Sequence, residues 1–252
     1  VEVTLCDVSK GDIVGLPAKL RAAVEVGYSR SGRDWMRQRI AQTRPDIVHV
    51  HNFFPRLTPS IYDACRDAGV PVVQTLHNYR IACAAASFLR DGEICEKCLC
   101  GSPYWAVAHR CYRGSALGSL ALAHMIDRHR RQGTWSSKVD LYFALTEFAR
   151  SKFVAAGLPP ERIVVKPNTA VDPGPPDARI ERRGALFVGR LASEKGLSLL
   201  LEAWRSLDYP LRIVGDGPLS ATVAAAASET ITVRGPLDAA AVRRAVRRAA
   251  FL

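Results

Sequence analysis

Two cations stand close together where a predicted strand passes into a predicted helix. Residues 186–196 read Leu-Phe-Val-Gly-Arg-Leu-Ala-Ser-Glu-Lys-Gly, which places Arg190 and Lys195 on one short loop. The apolar run before the loop is typical of a strand, and the apolar residues spaced by three to four after it indicate a helix. A helix N-terminus offers free N–H groups and a positive dipole end, so this loop is suited to binding phosphate. The alternative is a solvated Arg and Lys beside an ordinary α/β unit.

Polar side chains also follow two earlier predicted strands. His51 and Asn52 close the run 46–51, and His77 closes the run 70–77. Because ligands of open α/β sheets bind beyond the carboxyl ends of the strands, these three residues are candidates for a binding site. A purely structural role is the alternative for a histidine at a strand end.

Alternating strands and helices are predicted to position these residues. The predicted strands are 2–8, 46–51, 70–77, 140–145, 162–166, 186–188, 211–214 and 231–233. The predicted helices are 33–43, 57–68, 115–131, 147–156 and 239–250, with an Ala-rich helix after residue 218. The alternation is typical of doubly wound, Rossmann-like α/β domains. Pro and Gly interrupt it, so we predict domains at 1–166 and 184–252 joined by a linker at 167–183.

Several of these segments resemble one known family. The run Gly-Arg-Leu-x-x-Glu-Lys-Gly at 189–196 is similar to the donor-diphosphate motif of family 4 glycosyltransferases, which are retaining enzymes of the GT-B fold. Residues 46–52 and 75–80 also resemble that family, and Thr146-Glu147 and Lys166-Pro-Asn168 follow in the same order. The resemblance therefore extends over nearly the whole chain.

The resemblance implies a GT-B architecture of two Rossmann-like domains facing each other, with the second one incomplete. Residues 1–166 would form the acceptor-side domain, with a Cys-rich insertion at about 78–112, and residues 184–252 part of the nucleotide-sugar-binding domain. The family usually has a Gly-rich loop before the point where this sequence starts and a Glu-containing loop after the point where it stops. We therefore expect a chain truncated at both ends.

The resemblance also implies a reaction: transfer of a sugar from a nucleotide diphosphate sugar to an acceptor hydroxyl, with retention of configuration, in the synthesis of cell-surface polysaccharide. Arg190 and Lys195 would bind the leaving diphosphate, where fixed cations lower the barrier. His77, in the Thr-x-His pattern, would be the catalytic residue that contacts the donor sugar, and His51 and Asn52 would lie on the acceptor side. No catalytic cofactor is expected. The expected acceptor is a saccharide or a lipid-linked molecule.

Five of the seven cysteines are concentrated between residues 83 and 111. Four thiolates can hold a tetrahedral zinc ion, and the spacing predicts a structural zinc site at Cys83, Cys95, Cys98 and Cys111. Free thiols or a redox-active cluster are the alternatives. Disulfides are disfavoured because the sequence shows no export signal.

The chain of 252 residues is basic, with a net charge of +11, and 48% of its residues are hydrophobic. No apolar run reaches the length of a membrane span, and no nucleic-acid motif accompanies the charge, so we expect no nucleic-acid partner. We expect a cytoplasmic protein that contacts the inner face of the membrane. The two arginine clusters, on predicted helices, are interpreted as solvated faces; they are Arg128, Arg130, Arg131 and Arg243, Arg244, Arg247, Arg248.

Two further functions fit the same residues. The chain could be a nucleotide- or phosphate-binding fragment without transferase activity, or a zinc-stabilised interaction protein. The donor nucleotide, the sugar and the acceptor are not specified by these motifs.

Overall fold

The structure is a computed structural model that describes residues 1–8, 15, 21, 23–170, 172, 174 and 179–252. It divides into two units, Val1–Ala170 and Val171–Leu252. Each unit has its own parallel sheet and its own hydrophobic core.

The sheet of the first unit has four parallel strands in the order β1-β2-β5-β6. Its strands are β1 Val48–Val50, β2 Val72–Leu76, β5 Leu141–Ala144 and β6 Ile163–Val165. A separate antiparallel hairpin consists of β3 Leu89–Arg90 and β4 Glu93–Ile94. Every residue of β2 is buried, as expected for a parallel strand that is covered on both faces.

Three of the longer helices of the first unit begin at a residue whose side chain caps them. The described helices of this unit are α1 Arg30–Thr43, α2 Ser60–Asp67, α3 Lys97–Cys100, α4 Trp105–Ala108, α5 Ala116–Arg131, α6 Thr134–Ser137 and α7 Glu147–Ala155, with a 3₁₀ turn at Pro160–Arg162. The side chains of Ser29, Ser115 and Thr146 accept backbone N–H groups at the starts of α1, α5 and α7. Such caps satisfy donors that a helix leaves open at its N-terminus.

The second unit has three parallel strands in the order β7-β8-β9. Its elements are β7 Ala185–Val188, a 3₁₀ turn Ser193–Lys195, α8 Leu197–Trp204, β8 Leu211–Val214, α9 Ser220–Ala225, β9 Ile231–Arg234 and α10 Ala239–Arg248. Phe251 pairs with Ala185 in a parallel bridge on the other side of β7. In the described part of the chain, no helix is both long and apolar enough to cross a membrane.

The α/β prediction is confirmed, and most predicted elements lie within three residues of the observed ones. The predicted helix at 57 begins at Ser60, because Thr58 has a φ of 52° and Pro59 takes the cap position. The predicted strand at 2–8 is wrong. Residues 1–8 pair with no strand in the described ranges and expose Val3 and Leu5, so their alternating pattern has no sheet to complete. Pro173, Pro175 and Pro176 of the predicted linker lie outside the described residues.

A buried histidine ties α5 to the segment before α1. His129 is 2% exposed, and its Nε2–H donates to the Gly27 carbonyl at 2.7 Å. Its Nδ1 accepts from the Thr134 hydroxyl at 2.9 Å. Burial lowers the pKa of His129 to about 4 from an ordinary 6.5, and the nearby charges of Arg128 and Lys138 act in the same direction. The folded protein therefore holds this imidazole neutral.

The low pKa of His129 in the folded protein predicts a loss of stability in mild acid. The unfolded chain binds a proton at His129 as the pH falls through 6.5, whereas the folded chain does so only near pH 4. The neutral, buried His129 therefore contributes its full stabilisation of the folded state above pH 6.5, and this contribution is lost as the pH falls from 6.5 to 4. We expect the free energy of unfolding to fall by about 2 kcal/mol from this residue between neutral pH and roughly pH 5. Urea unfolding at the two pH values measures it.

The control is an exposed histidine on the same helix. His129→Gln should lower stability at neutral pH but remove this part of the acid dependence, whereas His124→Gln should leave both unchanged because His124 is exposed. An acid dependence identical in all three proteins would contradict the assignment.

Candidate functional site

Two histidines meet at the carboxyl edge of the first sheet. His51 follows β1 and His77 follows β2, and their Nδ1 and Nε2 atoms lie 2.9 Å apart in a hydrogen bond. One step back along the same strands, His49 Nε2 lies 2.8 Å from the Thr75 hydroxyl. Residues two apart on a strand share a face, so parallel pairing of β1 with β2 produces two cross-strand contacts in a row. The predicted residues His51 and His77 are thus brought together.

Two imidazoles of this edge, those of His77 and His49, are disposed to stay neutral. Burial lowers the pKa of His77, and the neighbouring charge of His51 lowers it further. Burial also lowers the pKa of His49, followed by the charges of His51, Lys166 and His77. A neutral imidazole has one N–H donor and one nitrogen acceptor, so it can bind a sugar hydroxyl in either sense.

The same turn follows each histidine. Asn52 Oδ1 accepts the Phe54 N–H at 3.1 Å, and Asn78 Oδ1 accepts the Arg80 N–H at 3.0 Å. These Asx turns hold the chain at the strand ends. The side-chain carbonyl of Asn52 is therefore already hydrogen-bonded within its own turn, and Asn52 lines the same cleft as His51 and His77.

The imidazole contact can be tested by titration. His51→Gln removes a neighbouring charge, so we expect the pKa of His77 to rise towards its ordinary value while its burial keeps it from a full return. Histidine NMR titration measures the shift. His124→Gln, on exposed α5 surface, is the matched control. An unchanged or lower pKa for His77 in His51→Gln would show that the two rings do not interact in solution.

The two predicted phosphate ligands lie on the loop between β7 and α8 of the second unit. Arg190 follows β7 and is 3.7 Å from Glu194 in an exposed ion pair. The Lys195 side chain is exposed and makes no hydrogen bond or ion pair within the described residues. Gly196 has a φ of 69°, where a residue with a Cβ is strained, and it leads into α8, whose N-terminus has no side-chain cap. The loop thus presents two exposed cations beside open helix N–H groups.

A neighbouring loop fixes the start of this segment. The Gly189 N–H donates to the Val214 carbonyl at 3.0 Å, and the Leu191 N–H donates to the Asp216 carbonyl at 2.9 Å. Gly217 makes this approach possible, since a Cβ there would lie 2.4 Å from the Leu191 carbonyl oxygen. Arg190 is therefore held between two backbone hydrogen bonds.

Adding a methyl group to Gly217 should separate the loops. We expect Gly217→Ala to destabilise the protein by about 2 kcal/mol or more, because backbone atoms must move to admit the Cβ. Gly235→Ala is the matched control, since its Cβ would meet no atom within 4 Å. Urea unfolding compares the two. Equal stabilities would show that the loops are not packed as described.

The predicted zinc site is not supported. Within the described ranges no group of three or more His, Cys, Asp or Glu side chains is placed to hold a metal ion. The proposed ligands are free thiols; they are Cys83, Cys95, Cys98 and Cys111. Burial raises the pKa of Cys98 to about 11, the charges of the other three thiols act in the same direction, and the Cys98 thiol lies 3.8 Å from the Pro103 carbonyl.

One of the two arginine clusters is only partly a solvated face. Arg130 donates to the carbonyls of Cys98 and Gly101, each at 2.9 Å, and so holds the end of α3. Arg128 lies 5.7 Å from the Tyr28 ring. The cluster on α10 is exposed, as predicted; it consists of Arg243, Arg244, Arg247 and Arg248.

Sequence reasoning missed Thr75, Lys166 and Arg80 as members of the first site. Thr75 contacts His49, Lys166 lies close enough to lower the pKa of His49, and Arg80 lines the cleft of the paired histidines. A signal for Thr75 was present: His-x-His at 49–51 and Thr-x-His at 75–77 have the same two-residue period. The position of Arg80 depends on a loop path that periodicity does not describe.

The fold and the two sets of residues define a class. The two parallel α/β units match the GT-B fold of glycosyltransferases, and the candidate residues follow the carboxyl ends of their strands. The chain belongs to the Glycosyl transferase 4-like domain family, whose pattern it matches over residues 1–169. No curated protein sequence matches it.

Three solved structures are similar to this chain. The lipopolysaccharide outer core galactosyltransferase WaaB in its apo form is 17% identical over 93% of this chain and 55% of its own, with a TM-score of 0.46. HepE of Anabaena with UDP-glucose is 15% identical over 82% of this chain and 52% of its own, with a TM-score of 0.48. TarM is 12% identical over 82% and 37%, with a TM-score of 0.52, and this likeness shows a shared fold. The chain spans about half the length of WaaB and HepE.

Proposed function

We propose that the chain contributes to a retaining glycosyltransferase that moves a sugar from a nucleotide diphosphate sugar to a hydroxyl of a saccharide or lipid-linked acceptor. The observation that carries the proposal is the loop after β7. It presents Arg190 and Lys195 beside the uncapped N-terminus of α8. Family membership over residues 1–169 supports the transferase class.

The loop suits the leaving group of such a reaction. Breaking the bond between the sugar and the diphosphate places negative charge on the diphosphate, and cations fixed there lower the barrier. Lys195 has no partner of its own within the described residues and is free to take this charge. Within the described residues, the Arg190 guanidinium has one long, exposed contact, with Glu194, which a phosphate can replace.

The paired histidines suit the sugar. His77, held by His51, offers hydrogen bonds to sugar hydroxyls without adding a charge, because burial keeps its pKa low. We assign His77 to the donor sugar and His51 with Asn52 to the acceptor side. In the retaining reaction the acceptor hydroxyl attacks the face that the diphosphate leaves, and the leaving phosphate takes its proton.

The exposed arginines of α10 would favour an anionic membrane surface near a lipid-linked acceptor.

Nucleotide binding tests the loop. We expect Lys195→Ala to weaken binding of UDP, GDP or ADP, whichever binds the unaltered chain, by about tenfold or more, as for a charge-assisted hydrogen bond. Arg205→Ala is the matched control, because Arg205 is an exposed cation at the other end of α8. Calorimetric titration measures the affinity. Equal affinities in all three proteins would remove the loop from the nucleotide site.

Sugar transfer separates an enzyme from a binding fragment. The corresponding sugar nucleotide should give product with a saccharide acceptor, and His77→Ala should lower the rate much more than the nucleotide affinity. Nucleotide binding without transfer under any condition would favour the alternative of a binding fragment. Product with inverted configuration would contradict the retaining mechanism.

A further inference from the structure

Arg80 follows the second Asx turn and is enclosed by aromatic rings. Its guanidinium carbon lies 4.8 Å from the ring centre of Phe54 and 5.5 Å from that of Tyr112. The two rings meet edge to face at 6.0 Å. The Nη1 group donates to the Ala84 carbonyl, which leaves donors of the planar fork free for another partner.

A second guanidinium shares one of these rings. Arg113 lies 5.4 Å from the Tyr112 ring centre and is exposed. Burial is the largest cause that lowers the pKa of Arg80; Tyr112 and Cys83 act in the opposite direction, and the like charge of Arg113 lowers it by a smaller amount. Two cations have therefore been placed around one tyrosine although they repel each other.

Neither arginine pairs with a carboxylate in the described part of the chain. Arg33, which is also partly buried, differs in this respect, because it contacts Asp67 at 2.6 Å. A desolvated charge without a counter-ion is unfavourable, and an arriving anion relieves both this cost and the repulsion between the cations. The planar fork of arginine matches the oxygens of a phosphate or carboxylate.

Arg80 lies at the cleft of the candidate site. Arg80, Phe54 and Asn52 line the same cleft as His51 and His77. The diphosphate of the donor is assigned above to the loop at Arg190, in the other unit. We propose that Arg80, with Arg113 beside it, binds an oxyanion carried by the acceptor, either a phosphate or a carboxylate. This inference rests on the proposed function.

The test is a binding experiment that does not require sugar transfer. The full chain carries Arg190→Ala and Lys195→Ala, so that phosphate binding at the second unit is removed. Calorimetric titrations use methyl phosphate, methyl glucuronide and the neutral methyl glucoside. We expect one of the two anions to bind and the neutral sugar not to bind, and the anion that binds more tightly identifies the acceptor group as phosphate or carboxylate.

Substitutions in that chain locate the site. Arg80→Gln should weaken anion binding by about tenfold or more, and the more exposed Arg113→Gln by roughly twofold to fivefold. Arg39→Gln is the matched control, since Arg39 also lies over an aromatic ring, at 5.5 Å from the Trp35 centre, but on α1. Its affinity should equal that of the parent chain. If circular dichroism shows that Arg80→Gln does not fold, the anion affinities of Arg80→Lys and Arg113→Gln test the proposal instead. Lysine keeps the positive charge of Arg80 but lacks the planar, two-pronged guanidinium, so Arg80→Lys should also bind the anion more weakly.

Four results overturn the proposal: no binding of either anion, equal binding of the neutral sugar, unchanged affinity in the folded Arg80 variants, or a loss of nucleotide binding when Arg80→Gln is made in the otherwise unaltered chain. The last result would assign the oxyanion to the donor. Absence of sugar transfer, by contrast, would contradict only the proposed function and leave the measured anion binding in place.

Discussion

The parallel pairing of β1 with β2 is the constraint on which the first site depends. Val50 pairs with Gln74, and this register brings the residues beyond each strand to one edge of the sheet. A shift by one residue would turn His51 and His77 to opposite faces. From within the core, the Tyr62 hydroxyl of α2 donates to Gln74 Oε1 of β2 at 2.8 Å, in a buried contact that ties this helix to the strand.

The second unit positions its cations by a different means. Arg190 and Lys195 are exposed, and no buried contact orients their side chains. Their backbone is held instead, by the loop that contains Gly217 and by the 3₁₀ turn before α8. An anion bound at this loop, as proposed above, would have to order both side chains on a backbone that is already in place.

The spacing of apolar residues, together with the positions of capping residues, Gly and Pro, was enough to predict much of this architecture. The helix starts at Ser115 and Thr146 are capping residues that can be read directly from the sequence, and the strands of both sheets are apolar runs. The strand predicted at 2–8 failed because alternation describes only the strand and not its neighbour. The zinc prediction lacks support for a related reason. The spacing of cysteines along the sequence does not determine the direction and burial of each thiol, which depend on packing; the burial that raises the pKa of Cys98 is an example.

The candidate residues were predictable singly and not as a set. His77 and His51 could be identified because polar residues follow buried strands, yet their hydrogen bond depends on the inter-strand register. Arg80 is three residues beyond His77 and has no pattern of its own. Its surroundings come from Phe54 and Tyr112, which are distant in sequence from it and from each other.

The hydrogen bond between His51 and His77 joins two nitrogens that can each be donor or acceptor. When both rings are neutral, the bond reverses if the bridging proton moves to the other nitrogen while the outer nitrogens exchange protons with solvent. The ring that gives up the bridging proton gains one at its outer nitrogen, and the other ring loses the proton of its outer nitrogen, so each ring changes tautomer and stays neutral. No carbon, nitrogen or oxygen atom has to change place. The outer nitrogens of the pair then exchange roles as well, so one rigid arrangement can present a donor to one hydroxyl and an acceptor to the next. The pair can therefore offer either a donor or an acceptor to a bound hydroxyl group without any rearrangement of the sheet.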